Sequence, residues 1–121
     1  RDRVASSGLG DVYKRQIYLY YMDLNQKDWN NKLDNDSVII DVRTPEEFEI
    51  YRIPDSINID FNNPVFFIEE IQKLNKDTSY FIYCRTGVRS ANSCLLMKEL
   101  GFDKIYNLLG GIVEWSGETI N

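Results

Sequence analysis

The stretch that decides the fold covers residues 79–101 and reads SYFIYCRTGVRSANSCLLMKELG. It opens with an unbroken β-rich run, Tyr80–Tyr83, which is typical of a strand buried on both faces of a sheet. Its second half, Ser90–Leu100, carries apolar residues around most of a helical circumference, and Gly101 fits a helix C-cap. Between the two lies Cys84–Ser90, a loop with a thiol, a glycine and two arginines. A buried strand followed by a short loop and a helix predicts one unit of a parallel α/β sheet.

The same alternation of strand and helix signals continues on both sides of this stretch. Short apolar runs predict further strands at Val38–Ile40, at Ile57 and Ile59, and at Ile105–Leu108. Helix starts are predicted at Asn25, at the capping box Thr44–Glu47 with proline in the first helical position, at Asn63-Pro64, and, for a short terminal helix, after Gly110-Gly111. We therefore predict an α/β fold with a central parallel sheet and helices on both faces.

Length and charge limit the classes of function. The 121 residues include 14 basic and 19 acidic side chains, so the formal charge is −5. This length suits one domain, and 43% apolar residues can supply a core. No apolar run approaches the roughly 20 residues that span a bilayer, and an acidic balance argues against a binder of duplex nucleic acid. We expect a monomer with neither nucleic acid nor membrane as a partner.

The chain contains no histidine, and this excludes several kinds of chemistry. A Ser-His or Cys-His pair, a histidine-ligated zinc and an imidazole general base are all ruled out. With only Cys84 and Cys94, neither a disulfide framework nor a metal site of four thiolates can form. We therefore expect no metal and no cofactor. The chemistry must run on carboxylates, on lysine or tyrosine, or on a thiolate activated without a base.

The first residues do not continue the regular pattern. Residues 1–16 show neither a helical nor a strand period, and within them DVYKRQ resembles an in-frame translation of a transposon end used in sequencing-library preparation. We expect residues 1–21 to be a non-native or disordered extension, a natural disordered tail being the alternative, and residues 22–121 to be the folded domain. The apolar segment Ile17–Met22 is either an edge strand or the read-through of nucleotide sequence that is normally untranslated, and we favour the second interpretation.

Localisation is inferred from the lack of a signal-peptide pattern in this extension. The expected compartment is the cytoplasm, where a reducing environment keeps an exposed reactive thiol free. This expectation fails if residues 1–16 have replaced a natural leader.

The loop Cys84–Ser90 carries the features of an anion cradle. In a parallel sheet, ligands collect at the carboxyl ends of the strands, and this loop follows such an end. Its backbone N–H groups turn inward and the following helix adds positive potential, so the thiolate of Cys84 is favoured without a histidine. Gly87 permits the positive φ of a tight cradle, while Arg85 and Arg89 suit an anionic substrate.

Alternative interpretations remain for three of the side chains. Cys84 could be a buried structural thiol, as most free cysteines are, although the coincidence of strand, thiol, glycine, arginines and helix argues against it. Arg89 could cap the loop by bonding carbonyl groups instead of attracting substrate. Cys94 lies mid-helix among apolar residues, which favours packing over a second catalytic role.

Four motifs in order resemble the rhodanese family of sulfurtransferases: DVRTPEEF (41–48), RIPDSINI (52–59), CRTGVRS (84–90) and GGIVEW (110–115). The resemblance implies a single α/β rhodanese domain over residues 22–121, in which Cys84 carries a sulfane sulfur as a persulfide. It implies that the substrate sulfur is held by loop backbone groups of Arg85, Thr86, Gly87, Val88 and Arg89, and that Asp41, Arg43 and Ser90 brace the loop. The implied partners are a small anionic sulfur donor such as thiosulfate, a thiol or cyanide acceptor, and a sulfur-accepting protein as a further acceptor.

Other activities use related loops. Thiolate phosphatases and arsenate reductases share the strand–loop–helix plan but need a wider cradle, Cys-x5-Arg, whereas the spacing here is Cys84-x4-Arg89. A non-catalytic rhodanese module typically lacks the cysteine that this chain keeps. A sulfur carrier that passes its sulfur to another protein remains open. The family's usual Gly-His is Tyr51-Arg52 here, which leaves the thiolate chemistry intact, so that any acceptor specificity set by that histidine does not carry over to this chain.

Overall fold

The computed structural model of the protein describes residues 21–121, which form one five-stranded sheet with helices packed on it. The strands are β1 (Met22–Leu24), β2 (Val38–Asp41), β3 (Ser56–Asn58), β4 (Ser79–Tyr83) and β5 (Lys104–Leu108). The helices are α1 (Gln26–Lys32), α2 (Pro45–Ile50), α3 (Pro64–Ile71) and α4 (Val88–Glu99), and a 3₁₀ helix follows at Ile112–Glu114.

Every neighbouring pair of strands is parallel, in the order β1-β5-β4-β2-β3. This confirms the predicted parallel α/β architecture. The central pair β2 and β4 is in register so that Asp41 lies opposite Tyr83. The carboxyl ends of these two strands therefore lie side by side, and Cys84 follows directly from one of them.

Side chains alternate across the sheet and fill an apolar core on each face. On β4, Tyr80 and Ile82 point into one core while Phe81 and Tyr83 point into the other. The first core also holds residues of α3 and α4, and the second holds Trp29 of α1. The prediction that the central strands are buried on both faces is confirmed, as expected for a parallel sheet covered by helices.

The predicted caps place the helix starts correctly. Thr44 Oγ1 accepts a hydrogen bond from the backbone N–H of Glu47 at 3.2 Å, and the Glu47 carboxylate accepts one from the N–H of Thr44 at 3.0 Å. This reciprocal capping box, with Pro45 in the first turn, begins α2. Asn25 and Asn63 cap α1 and α3 with the side-chain oxygen only, which accepts a hydrogen bond from the backbone N–H three residues later.

Helix α4 begins two residues earlier than the sequence indicates. Gly87 is its N-cap, with φ of 104° in the left-handed region, so Val88 and Arg89 form its first turn and do not belong to the loop. The apolar pattern starts only at Ser90 because Val88 is exposed and Arg89 is half-buried. The loop that follows Cys84 is thus shorter than predicted, and the helix N-terminus lies closer to the thiol.

Three further elements differ from the prediction. An edge strand, β1, covers Met22–Leu24 and pairs with β5, whereas the edge strand weighed from the sequence, in second place, was Ile17–Met22. The third strand covers Ser56–Asn58, so Ile59 lies just beyond it, and Ile57 is exposed. The terminal helix is a three-residue 3₁₀ turn. Each is an edge or terminal element that buries too little to leave a clear period in the sequence.

The expectations for residues 1–20 lie outside the described residues, so the predicted start of the domain at Met22 stays a prediction. Among the helices of residues 21–121, none has the length and apolar character needed to cross a membrane.

Candidate active site

Cys84 follows β4 at the carboxyl edge of the sheet, and its sulfur is buried in a cradle of hydrogen-bond donors. The backbone N–H of Gly87 donates to Sγ at 3.1 Å, the N–H of Ser90 at 3.3 Å, and the Ser90 hydroxyl at 3.3 Å. Ser90, expected only to brace the loop, therefore contacts the sulfur directly. Donors arranged in this way at a helix N-terminus stabilise negative charge on the atom that they surround.

The cradle depends on the backbone conformation of Gly87. Its positive φ turns the chain back toward Cys84, which brings its own N–H and the first turn of α4 to the sulfur. A side chain here would also contact the backbone of Gly110 and Leu108 at about 3.5 Å. Arg85, Thr86 and Val88 lie around this turn with exposed side chains.

The 3₁₀ helix near the C-terminus holds the outer side of the loop. The N–H of Ile112 donates to the carbonyl of Cys84 at 2.9 Å, and the N–H of Val113 to the carbonyl of Arg85 at 3.1 Å. These bonds occupy the loop's carbonyl groups and leave its amides free to face the sulfur. The sequence indicated the GGIVEW motif but not this supporting role.

Gly111 makes this contact sterically feasible. Its φ of 64° and ψ of −169° suit glycine, and a Cβ at this position would overlap the carbonyl of Arg85. We expect Gly111→Ala to lower the free energy of unfolding by about 3 kcal/mol and to distort the Cys84 loop. Urea denaturation measures the first effect and the rate of Cys84 alkylation the second.

The matched control is Gly101→Ala. Gly101 also has a positive φ, of 102°, but a Cβ there would meet only the flexible stem of Lys76. We expect it to cost about 1 kcal/mol, from backbone strain, with unchanged alkylation of Cys84. Equal losses in the two variants would show that strain, and not contact with the loop, accounts for the effect at Gly111.

Asp41 and Arg43 form a buried ion pair beside the loop. Arg43 Nη2 lies 2.6 Å from the Asp41 carboxylate and 2.7 Å from the carbonyl of Tyr51. Burial alone would lower the pKa of the Arg43 guanidinium, but the hydrogen bonds and charge of Asp41 raise it overall. The pair ties the end of β2 to the segment after α2. It adjoins the active loop through the bond from the Val42 N–H to the Tyr83 carbonyl at 3.0 Å.

Arg89 is held by Glu47, a residue that the sequence marked only as part of a helix cap. The two terminal nitrogens of Arg89 donate to the two carboxylate oxygens of Glu47 at 2.8 and 3.0 Å. The hydrogen bonds from Arg89, aided by those from Thr44, lower the pKa of Glu47 to about 2 although burial opposes them. The partner of Arg89 is thus a carboxylate on α2, whereas loop carbonyls were the expected alternative to substrate.

This ion pair predicts a specific acid sensitivity. The pKa of Glu47 falls from an ordinary 4.5 to about 2 in the folded protein, so its stabilisation is complete above about pH 4.5 and is lost as the pH falls toward 2. Solvent screening of the half-exposed pair limits it to about 1–2 kcal/mol. The difference in unfolding free energy between wild type and Glu47→Gln should shrink over that pH range. A difference that stays constant would contradict the pairing.

Cys94 lies in the apolar core beneath α4, as the packing interpretation requires. Burial raises the pKa of its thiol well above the ordinary value, and the negative charges of Asp23 and Cys84 raise it further. Cys94 is therefore a neutral thiol that fills space in the core.

Comparison with known proteins agrees with this architecture. Residues 25–118 match the model of the Rhodanese-like domain family, so the chain belongs to that family. A sulfurtransferase of Allochromatium vinosum is 34% identical over 82 residues, which cover 67% of this chain and 73% of that protein. YtwF of Bacillus subtilis, a protein named as a candidate sulfurtransferase, is 38% identical over 86 residues, which cover 71% of this chain and 80% of that one.

Solved structures show the same fold. A rhodanese-related protein of Thermoplasma volcanium superposes with a TM-score of 0.72 at 27% identity, covering 83% of this chain and 98% of that one. A rhodanese-like domain protein of Staphylococcus aureus gives a TM-score of 0.69 at 29% identity, covering 80% and 93%. The predicted rhodanese-like fold is confirmed.

Proposed function

We propose that this protein is a sulfurtransferase in which Cys84 takes a sulfane sulfur from thiosulfate or a similar anionic donor. The observation that carries the proposal is the buried Cys84 sulfur at the end of β4, with three hydrogen-bond donors directed at it from Gly87 and Ser90. The names of the two relatives described above support the same chemistry.

The reaction runs in two displacement steps. The Cys84 thiolate attacks the outer sulfur of thiosulfate; a new S–S bond forms, the S–S bond of the donor breaks, and sulfite leaves with the electron pair. An acceptor thiolate or cyanide then attacks the outer sulfur of the persulfide and returns Cys84 as a thiolate. Neither step needs a general base, which is consistent with a chain that contains no histidine.

The loop residues have distinct proposed roles. The exposed Arg85 guanidinium attracts the anionic end of the donor. The backbone amides from Arg85 through Thr86, Gly87 and Val88 to Arg89 hold the outer sulfur of the persulfide, whose charge they stabilise. Asp41 and Arg43 keep the strand ends beside the loop in place.

A sulfur carrier is the second candidate function. YrkF of Bacillus subtilis, a protein named as a candidate sulfur carrier, is 32% identical over 100 residues, which cover 80% of this chain and 52% of that one. Carrier and enzyme would share the Cys84 persulfide and differ in whether the acceptor is a protein or a small molecule. A phosphatase is disfavoured because the guanidinium of Arg89, which would have to bind phosphoryl oxygens, is engaged by Glu47.

A pair of measurements tests the proposal. Thiosulfate:cyanide turnover is measured as the production of thiocyanate. The intact mass of the thiosulfate-treated protein shows whether one sulfur atom, about 32 Da, has been added. Turnover identifies the enzyme, whereas an added sulfur without turnover identifies the carrier. If neither turnover nor an added sulfur is observed, the proposal is overturned.

A further inference from the structure

Arg85 in the loop and Arg89 in the first turn of α4 differ in their charge environment. Arg89 is half-buried and its guanidinium is bound on two nitrogens by the Glu47 carboxylate. Arg85 is exposed, and within residues 21–121 it joins no ion pair. Of the two guanidinium groups of Cys84–Ser90, one is therefore uncompensated by any carboxylate in the described part of the chain.

Glu47 is held in position independently of Arg89. The carboxylate oxygen that binds Arg89 at 2.8 Å also accepts hydrogen bonds from the N–H of Thr44 at 3.0 Å and from its hydroxyl at 3.2 Å. The capping box of α2 thus fixes the anion that neutralises Arg89. Helix α2 follows β2, the strand next to β4, so the Glu47 carboxylate comes from an element outside the Cys84 loop.

Arg89 directly precedes Ser90, whose N–H and hydroxyl both donate to the Cys84 sulfur at 3.3 Å, so the pair is anchored beside that sulfur. The pKa of Arg89 is raised chiefly by its hydrogen bonds to Glu47 and also by the negative charges of Cys84 and Asp41. An arginine paired with a carboxylate contributes little net charge at a distance, whereas a free arginine attracts anions in proportion to their charge. Removing the charge of Glu47 would therefore leave the positive charge of Arg89 unneutralised and make the electrostatic potential at Cys84 more positive.

We propose that Glu47 sets the charge preference of the site: by neutralising Arg89 it leaves Arg85, among the described loop residues, as the uncompensated cation that receives the donor, so that monoanionic sulfur donors are used in preference to the dianion thiosulfate, which remains a substrate. This inference rests on the proposed sulfurtransferase function. The donor class that fits is the organic thiosulfonate, R–SO₂–S⁻. Cys84 takes the outer sulfur, the S–S bond of the donor breaks, and a sulfinate leaves with the electron pair.

Alkylation of Cys84 tests the electrostatic part without any sulfur transfer. Iodoacetate carries one negative charge and iodoacetamide none, so the ratio of their rates at Cys84, followed by peptide mass, reports the local field. We expect Glu47→Gln to raise this ratio about fivefold and Arg85→Gln to lower it by a similar factor. The control is Glu46→Gln, an exposed neighbour in the same helical turn, which should leave the ratio unchanged.

A variant of the other partner keeps the test decisive if Glu47→Gln folds poorly. Arg89→Gln leaves Glu47 uncompensated and should lower the iodoacetate to iodoacetamide ratio several-fold. A purely structural role of the pair would change both alkylation rates alike, leaving the ratio constant in both variants. That result would overturn the proposal.

The donor preference is measured separately. With cyanide as acceptor, the ratio of kcat/KM for thiosulfate, a dianion, to that for methanethiosulfonate, a monoanion, should rise about fivefold in Glu47→Gln. Unchanged donor and alkylation ratios would reject the role of Glu47. A shifted alkylation ratio in a protein that transfers sulfur from neither donor would instead reject the proposed function and leave the electrostatic role of Glu47 standing.

Discussion

Cys84→Ser is expected to abolish formation of the persulfide and to reduce sulfur transfer at least about a thousandfold. The serine hydroxyl can accept hydrogen bonds from Gly87 and Ser90, so the loop should keep its conformation, but an oxygen cannot carry the sulfane sulfur. The free energy of unfolding should change by less than about 1 kcal/mol. Thiocyanate production, intact mass after thiosulfate treatment and urea denaturation measure the three effects.

Cys94→Ala provides the matched control for this variant. Cys94 is the other thiol of the chain and lies in the core, so its truncation should cost about 1–2 kcal/mol of stability and leave turnover of the folded protein unchanged. Retained sulfur transfer in Cys84→Ser would refute the assignment of the site. Lost transfer in a stably folded Cys94→Ala would show that the second thiol takes part in the chemistry.

The elements that could be predicted from sequence are those whose signals are local. The apolar runs at β2 and β4 are short and unbroken because both faces of these strands are buried. The capping box at Thr44 and the glycine of the Cys84 loop report their own backbone conformations, since a cap or a positive φ restricts the residue that adopts it. These signals were sufficient to place Cys84 at the carboxyl edge of the sheet.

The contacts that could not be predicted join residues distant in the chain. Glu47 and Arg89 are 42 positions apart, and nothing in either local sequence distinguishes a carboxylate that caps a helix from one that also neutralises a loop arginine. The support of the loop by Ile112 runs through backbone groups, which every residue possesses. Such contacts form only when the folded elements pack together. The sequence can therefore show a motif, such as GGIVEW, without showing which distant residues it contacts.

The edge strand β1 was not predicted at its observed position for a related reason. Its three residues bury little side-chain surface, and its place in the sheet rests on parallel pairing of Met22–Leu24 with β5. A strand held mainly by backbone hydrogen bonds to a distant segment needs no hydrophobic period of its own.

Insertion of one glycine after Thr86 is expected to reduce sulfur transfer at least about a hundredfold. The donors at Gly87 and Ser90 lie 3.1–3.3 Å from the Cys84 sulfur, and an extra residue must move at least one of them beyond hydrogen-bond distance or widen the loop. The insertion creates the spacing Cys-x5-Arg of thiolate phosphatases. Turnover with thiosulfate and hydrolysis of an aryl phosphate are measured in the same preparation.

The same insertion at an exposed turn separates loop size from general damage. A glycine placed after Asn35, in the turn that precedes β2 at the opposite edge of the sheet, should leave sulfur transfer within about twofold of wild type. Aryl phosphate hydrolysis is not expected from the loop variant, because Glu47 still engages Arg89 and the chain has no histidine. Combining the insertion with Glu47→Gln would free that guanidinium, and the double variant is therefore the one in which binding of phosphate or arsenate should first be detected. If the single insertion leaves thiosulfate turnover unchanged, loop radius does not select the substrate, and the preference for sulfur over phosphate must come from the Glu47–Arg89 pair and the absence of histidine.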